Sequence, residues 1–122
     1  MTKEQALYSF WSSFKISAYE ENSVPTGADF PYITYQIVTD SFGGSIAMSA
    51  SVWYRSTSLV NISNKTEEIS TAIGRGGKLL MYDGGAIWLK RGTPFVTTMG
   101  DNSDDKITRN LLNITAEYIS AD

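Results

Sequence analysis

Apolar residues in this chain recur first at helical spacing and then at strand spacing, and the change of period marks out the elements. Leu7, Phe10, Trp11 and Phe14 fall on one stripe behind Thr2-Lys-Glu-Gln5. That string fits a capping box, with the Thr2 hydroxyl accepting from the third helical N–H while Gln5 reaches back, so a helix is predicted from about residue 3 to 14. Residues 15–30, with Glu20-Glu21-Asn22 and Pro25-Thr-Gly27, carry turn chemistry and little periodicity, and read as a loop. Alternation then puts Ile33, Tyr35 and Ile37 on one face of a strand over 32–38, and Ile46, Met48, Ala50, Val52 and Tyr54 on one face of a second over 46–54. The link Thr39-Asp-Ser-Phe-Gly-Gly-Ser45 suits a hairpin. Ser58 stands where it can cap a second helix from about 58 to 74, with Leu59, Ile62, Thr66, Ile69 and Ile73 on one face and Gly74, Gly76 and Gly77 offering left-handed positions to end it.

Short strands follow at 78–82, 86–90 and 95–99, joined by Asp83-Gly-Gly85 and Gly92-Thr-Pro94. Pro94 cannot donate to a ladder and belongs at a strand start or on an edge. Leu112, Ile114, Ala116 and Tyr118 share one face of a last strand, after a charged loop over 100–106. The expectation is an α+β fold: an antiparallel sheet with two amphipathic helices packed on one face, in the order α-β-β-α-β-β-β-β, forming one domain over residues 1–122.

Composition narrows the chemistry. The chain has no histidine and no cysteine, which removes disulfides, thiolate sites, triads and the commonest general base and metal ligand. No metal or cofactor is expected. A net charge of −3 argues against a sequence-independent grip on nucleic acid. No apolar run approaches the roughly 20 residues that span a bilayer, and the mixed charge of Met1-Thr-Lys-Glu-Gln5 is unlike a secretory signal, so a chain that stays in the cytoplasm without a membrane partner is expected.

Strings that resemble functional motifs fail on inspection. Gly74-Arg-Gly-Gly-Lys78 lacks the phosphate-loop glycine at Ala72 and the hydroxyl at Leu79, and it leaves a helix instead of entering one. Asp101-Asn-Ser-Asp-Asp105 looks like the start of a calcium loop, but Lys106 replaces the glycine and Leu112 the bidentate glutamate, so a solvated acidic loop is expected. Glu20-Glu21 and Glu67-Glu68 are adjacent pairs whose side chains point apart, and they read as surface charge. The sequons at Asn61, Asn64 and Asn113 are read as chance. Lys90-Arg91 beside Trp88 is too small a basic cluster for nucleic acid, so core packing or a protein interface is expected there. Phe42, at the Gly43-Gly44 hairpin tip, either folds back on its own sheet or waits for a partner. Without a catalytic set, the chain is read as a binding or assembly protein and not an enzyme.

Four strings, Pro31-Tyr-Ile-Thr-Tyr35, Val52-Trp-Tyr-Arg-Ser56, Ile73-Gly-Arg-Gly-Gly-Lys78 and Tyr82 to Pro94, resemble in order and spacing the small tail terminator (tail-completion) proteins of long-tailed bacteriophages. The resemblance implies a virion structural protein, assembled in the bacterial host cytoplasm and sited at the head-proximal end of the tail. There it implies a homo-oligomeric ring, commonly a hexamer, that docks on the tail tube protein, ends tube polymerisation and joins the head through a neck or head-completion protein, with DNA passing through its lumen. Candidate interface residues, chosen from loop and surface chemistry, are Phe42, Gly43, Gly44, Trp88, Lys90, Arg91, Asp101, Asn102, Asp104 and Asp105. An inward-facing Asp101 to Asp105 loop would repel passing DNA. Two alternatives stay open: a neck or head-completion protein, and, more remotely, a ligand-binding domain or enzyme working through carboxylates.

Overall fold

The capping box forms as its sequence dictates: in the computed structural model, which describes residues 1–38, 44–101 and 103–120, Gln5 N–H donates to Thr2 Oγ1 at 3.1 Å and Thr2 N–H to Gln5 Oε1 at 2.8 Å. It starts α1 (Lys3–Ser12), whose end is closed by the Ser13 hydroxyl on the Phe10 carbonyl and by Lys15 at a positive φ of 66°. The stripe Leu7, Phe10, Trp11 and Phe14 is buried as expected. Phe10 meets Trp11 and Phe14 edge-on at 4.9 and 5.3 Å between centroids, and Trp11 stacks on Tyr35 at 6.2 Å.

Six strands follow the first helix: β1 (Ser17–Glu20), β2 (Tyr32–Tyr35), β3 (Ser45–Arg55), then, after α2 (Val60–Ile73), β4 (Lys78–Tyr82), β5 (Gly85–Gly100) and β6 (Ile107–Ser120). They make one sheet in the order β1-β2-β3-β6-β5-β4, antiparallel throughout except for the parallel pair β1 and β2. The α+β class and the two helices therefore stand, and the element order is corrected to α-β-β-β-α-β-β-β. The stretch 15–30 is not all loop, because four residues with a single buried position, Ala18, are too few to show a period. The strands expected at 86–90 and 95–99 are one strand, interrupted by a register shift between Arg91 and Val96 that accommodates Pro94.

Even-numbered residues of β3 and β6, with Ile87 and Leu89 of β5, form the core with both helices. α2 covers the central strands β3, β6 and β5, whereas α1 touches both edge strands, β1 and β4. The sheet thus curls around α1, which stands between its two edges. The cap residue of α2, Leu59, makes no side-chain cap bond and is exposed, not part of the buried face, and Ser58 Oγ accepts from the N–H of Val60, the first helical residue, at 3.2 Å. Its end is as read, with Gly74 at φ 74°. Gly77 is required by close approach, since a Cβ there would lie 2.5 Å from both the Leu89 carbonyl oxygen and Trp88 Nε1.

Candidate functional site

The outer face of the sheet, opposite the helices, and the two strand edges hold the exposed chemistry. β4 is Lys-Leu-Leu-Met-Tyr: Leu80 turns inward, while Leu79 and Met81 project from the outer face, 53 % and 67 % exposed. Only β5 pairs with β4, so its other edge has unpaired backbone groups among the described residues. Trp88 lies opposite Leu79 and donates from Nε1 to the Gly76 carbonyl at 2.8 Å, tying the turn before β4 to β5. Lys90 Nζ sits 3.6 Å from the Trp88 ring centroid. Lys90 on this face, with Arg75 in the turn before β4, makes the corner basic, while Lys78 turns to the helix side.

Arg91 does not join that cluster. Alternation along β5 turns it toward the helices, where Nη1 donates to Ser70 Oγ at 2.8 Å. The expected unit of Trp88, Lys90 and Arg91 is therefore split between two faces, because neighbours in a strand point apart.

At the other edge, β1 pairs only with β2. A cleft of about 600 Å³ runs between α1 and β1, lined by Tyr8, Ser12, Lys15, Ser17, Tyr19 and Asp29 among others. Glu20 ends β1 and Glu21 opens the turn after it. The Glu20 carboxylate accepts from Asn22 N–H at 3.0 Å and from the Ser23 hydroxyl at 3.1 Å, and Glu21 Oε1 accepts from Gln36 at 3.4 Å. The pair read as free surface charge thus also orders the turn after β1. Tyr19, Phe30, Tyr32 and Trp53 continue inward as an aromatic row, with Tyr32 at 5.9, 5.1 and 6.1 Å from the other three in that order. Burial, and secondarily Tyr19, pushes the Tyr32 hydroxyl above its usual pKa.

The acidic loop is more ordered than its composition suggests. Asp101 Oδ1 accepts from both the N–H and the hydroxyl of Ser103 at 2.7 Å, and these bonds hold its carboxyl below the usual range. Asp104 is lowered first by the Lys106 N–H and then by Arg55, whose Nε is 2.8 Å from Oδ2. Asp105 is exposed. Beside the loop lies a cleft of about 340 Å³ holding Trp53, Met99 and Arg109, with the Arg109 guanidinium 4.9 Å from the Trp53 ring centre and its Nε on Ser51 Oγ at 2.8 Å. Among the described residues no group of three Asp or Glu side chains could hold a metal ion. The carboxyl groups with displaced pKa values move downward, the direction opposite to that of a general acid.

Phe42, Gly43 and Asn102 lie outside the described residues, and Gly44 is exposed just before β3. The structure does not bring the candidate residues together: Trp88 and Lys90 lie toward the β4 edge, and Asp101, Asp104 and Asp105 lie on the loop that joins β5 to β6. Sequence reasoning missed Leu79, Met81, Tyr19 and Asp29. The signal for the first two was present, since Leu79, Leu80 and Met81 are apolar on both faces of one strand, which suits a strand covered on both sides; only the topology reveals that β4 is an edge. No helix among the described residues is long and apolar enough to cross a membrane. Compared with protein-family models, with curated proteins and with solved structures, the chain gives no match.

Proposed function

We propose that this chain is an assembly protein of a bacteriophage virion: a ring, of six copies, that caps the tail tube, ends its polymerisation and offers the surface to which the neck or head-completion protein joins, with DNA passing through its lumen. The observation that carries the assembly reading is β4, an edge strand paired on one side, with Leu79 and Met81 exposed on its outer face, a combination that isolated proteins suppress and interfaces use. The specific role rests on the resemblance to tail terminator proteins. Its four strings fall on β2, on the end of β3, on the close of α2 and on the β4–β5 hairpin with the first part of β5.

Cryo-electron microscopy of the virion that contains the chain tests the reading. Six copies around the head-proximal end of the tube are expected, and interruption of the gene is expected to give tails of uncontrolled length that do not join heads. Copies placed on the head side of the junction, with tail length unchanged, would transfer the protein to the neck class. Its absence from the particle would overturn both.

A further inference from the structure

The sheet ends in β1 on one flank and in β4 on the other, and α1 packs against both. Two open edges remain, and they differ in charge and shape. The β4 edge is narrow and apolar, with Leu79 and Met81 exposed on the outer face and exposed Arg75 and Lys78 at its start; Lys90 lies on the neighbouring strand. The β1 edge is flanked by Glu20, Glu21 and exposed Asp29, with Lys15 the cation beside it, and it borders the cleft of about 600 Å³ next to α1.

From this we infer that the β4 edge of one copy adds to the β1 edge of a second copy, continuing the sheet from subunit to subunit. The match holds on three counts. Each edge supplies the hydrogen-bonding groups the other lacks. Alternation places Leu79 and Met81 on the outer face, the same face as Tyr19, so the apolar side chains meet on one side of the shared sheet. It places Lys78 on the helix side, the side that Glu20 shares through its pairing with buried Tyr35, so opposite charges meet on the other. Because the two edges are different surfaces, the contact is head-to-tail and can repeat, which is what a ring needs. The inference deepens the proposed function and relies on it only for the claim that the repeat closes.

The chain contains no cysteine, which makes the test clean. Ser17→Cys on β1 and Leu79→Cys on β4 replace exposed residues of the outer face, and the double variant is treated at millimolar concentration with a short bis-maleimide. A ladder of dimer, trimer and higher species from the double variant, with each single variant remaining monomeric, is the expected result. Cross-linked dimers from either single variant would show like-to-like pairing and overturn the inference, as would no ladder from a double variant that melts like the parent. Glu21→Lys with Asp29→Lys should cut the ladder at least tenfold, and adding Arg75→Glu with Lys78→Glu should restore it; an unchanged ladder overturns the charge match. A chain that forms the ladder but is not found at a tail end keeps the edge pairing and loses the capping role. Six copies on a tube with no ladder do the reverse.

Discussion

The two helices lie on the same face of one sheet and are held there by different physics. α1 is fixed by area: its aromatic stripe fills the curl of the sheet, and its ends are closed by side chains, with Lys3 adding its ammonium 5.5 Å from the Tyr118 ring centre. α2 is less aromatic and is pinned by polar contacts as well. Ile62, Ile69 and Ile73 are buried, but between them Thr66 Oγ1 donates to the Ile62 carbonyl and accepts from Asn110 Nδ2, and Asn110 Oδ1 accepts from the Thr98 hydroxyl, each at 2.8 Å. A helix packed between two edge strands is located by the area it fills, whereas one that covers a continuous sheet can be positioned by a few directional bonds.

The largest effect expected from breaking this contrast is at Trp11. Trp11→Ala should cost about 3–5 kcal/mol in chemical denaturation, because the void opens where α1 meets β2 and the sheet cannot collapse without changing its curl. Ile69→Ala under α2 should cost about 2–5 kcal/mol, with the lower end expected because α2 can settle onto a flatter surface. Equal losses would show that α1 depends on the area it fills no more than α2 does.

Next in size is the polar pin. Asn110→Ala should cost about 1–3 kcal/mol, since Asn110 is 4 % exposed and its partners lose a buried bond. Thr66→Val alone leaves the Asn110 amide without an acceptor, so a double-mutant cycle of the two positions should give a coupling of about 0.5–3 kcal/mol. A coupling near zero would mean that α2 is held by area alone, as α1 is.

These polar contacts mark the limit of what the sequence discloses. The stripe of α1, the inward faces of β3 and β6 and the bounds of β4 are all legible, because each is a sustained period or is closed by glycines. Asn110 and Thr66 are 44 residues apart, and nothing local says that they meet. The same holds for the edges: Leu79 and Met81 look like core, and Tyr19 and Asp29 look like loop, until the strand order places β4 and β1 at the ends of the sheet. Arg91 was misplaced beside Lys90 for a simpler reason, that adjacency in a strand is opposition in space.

The helix starts should differ by less. Thr2→Ala removes a complete capping box and should cost about 1 kcal/mol. Ser58→Ala removes a single 3.2 Å bond from the N–H of Val60 and no reciprocal bond, so a loss within about 0.5 kcal/mol is expected from the same thermal melts. If Ser58→Ala matches Thr2→Ala, the uncapped description of α2 is wrong.

What replaces a cap at α2 is the loop beyond it, and pH tests that at the smallest scale. Ser56 N–H donates to the Lys106 carbonyl at 2.8 Å, and Arg55 pairs with Asp104, so the chain entering α2 is tied to the β5–β6 connection. The Asp104 carboxyl is lowered in the folded chain, chiefly by the Lys106 N–H and then by Arg55. A carboxyl depressed on folding adds stability above its ordinary value of 3.8 and loses it as pH falls through the lower folded value. Asp104→Asn should therefore lower the melting temperature slightly in the neutral region, where the depressed carboxyl adds its stability, and approach the parent as pH falls through the lower folded value, flattening the acid limb. Arg55→Ala should remove only part of the depression, because the Lys106 N–H stays in place, and a carboxyl NMR titration of Asp104 reads this directly. If Arg55→Ala returns Asp104 to its ordinary value, the ion pair and not the backbone bond orders this loop, and the entry to α2 rests on an exposed contact that salt would weaken.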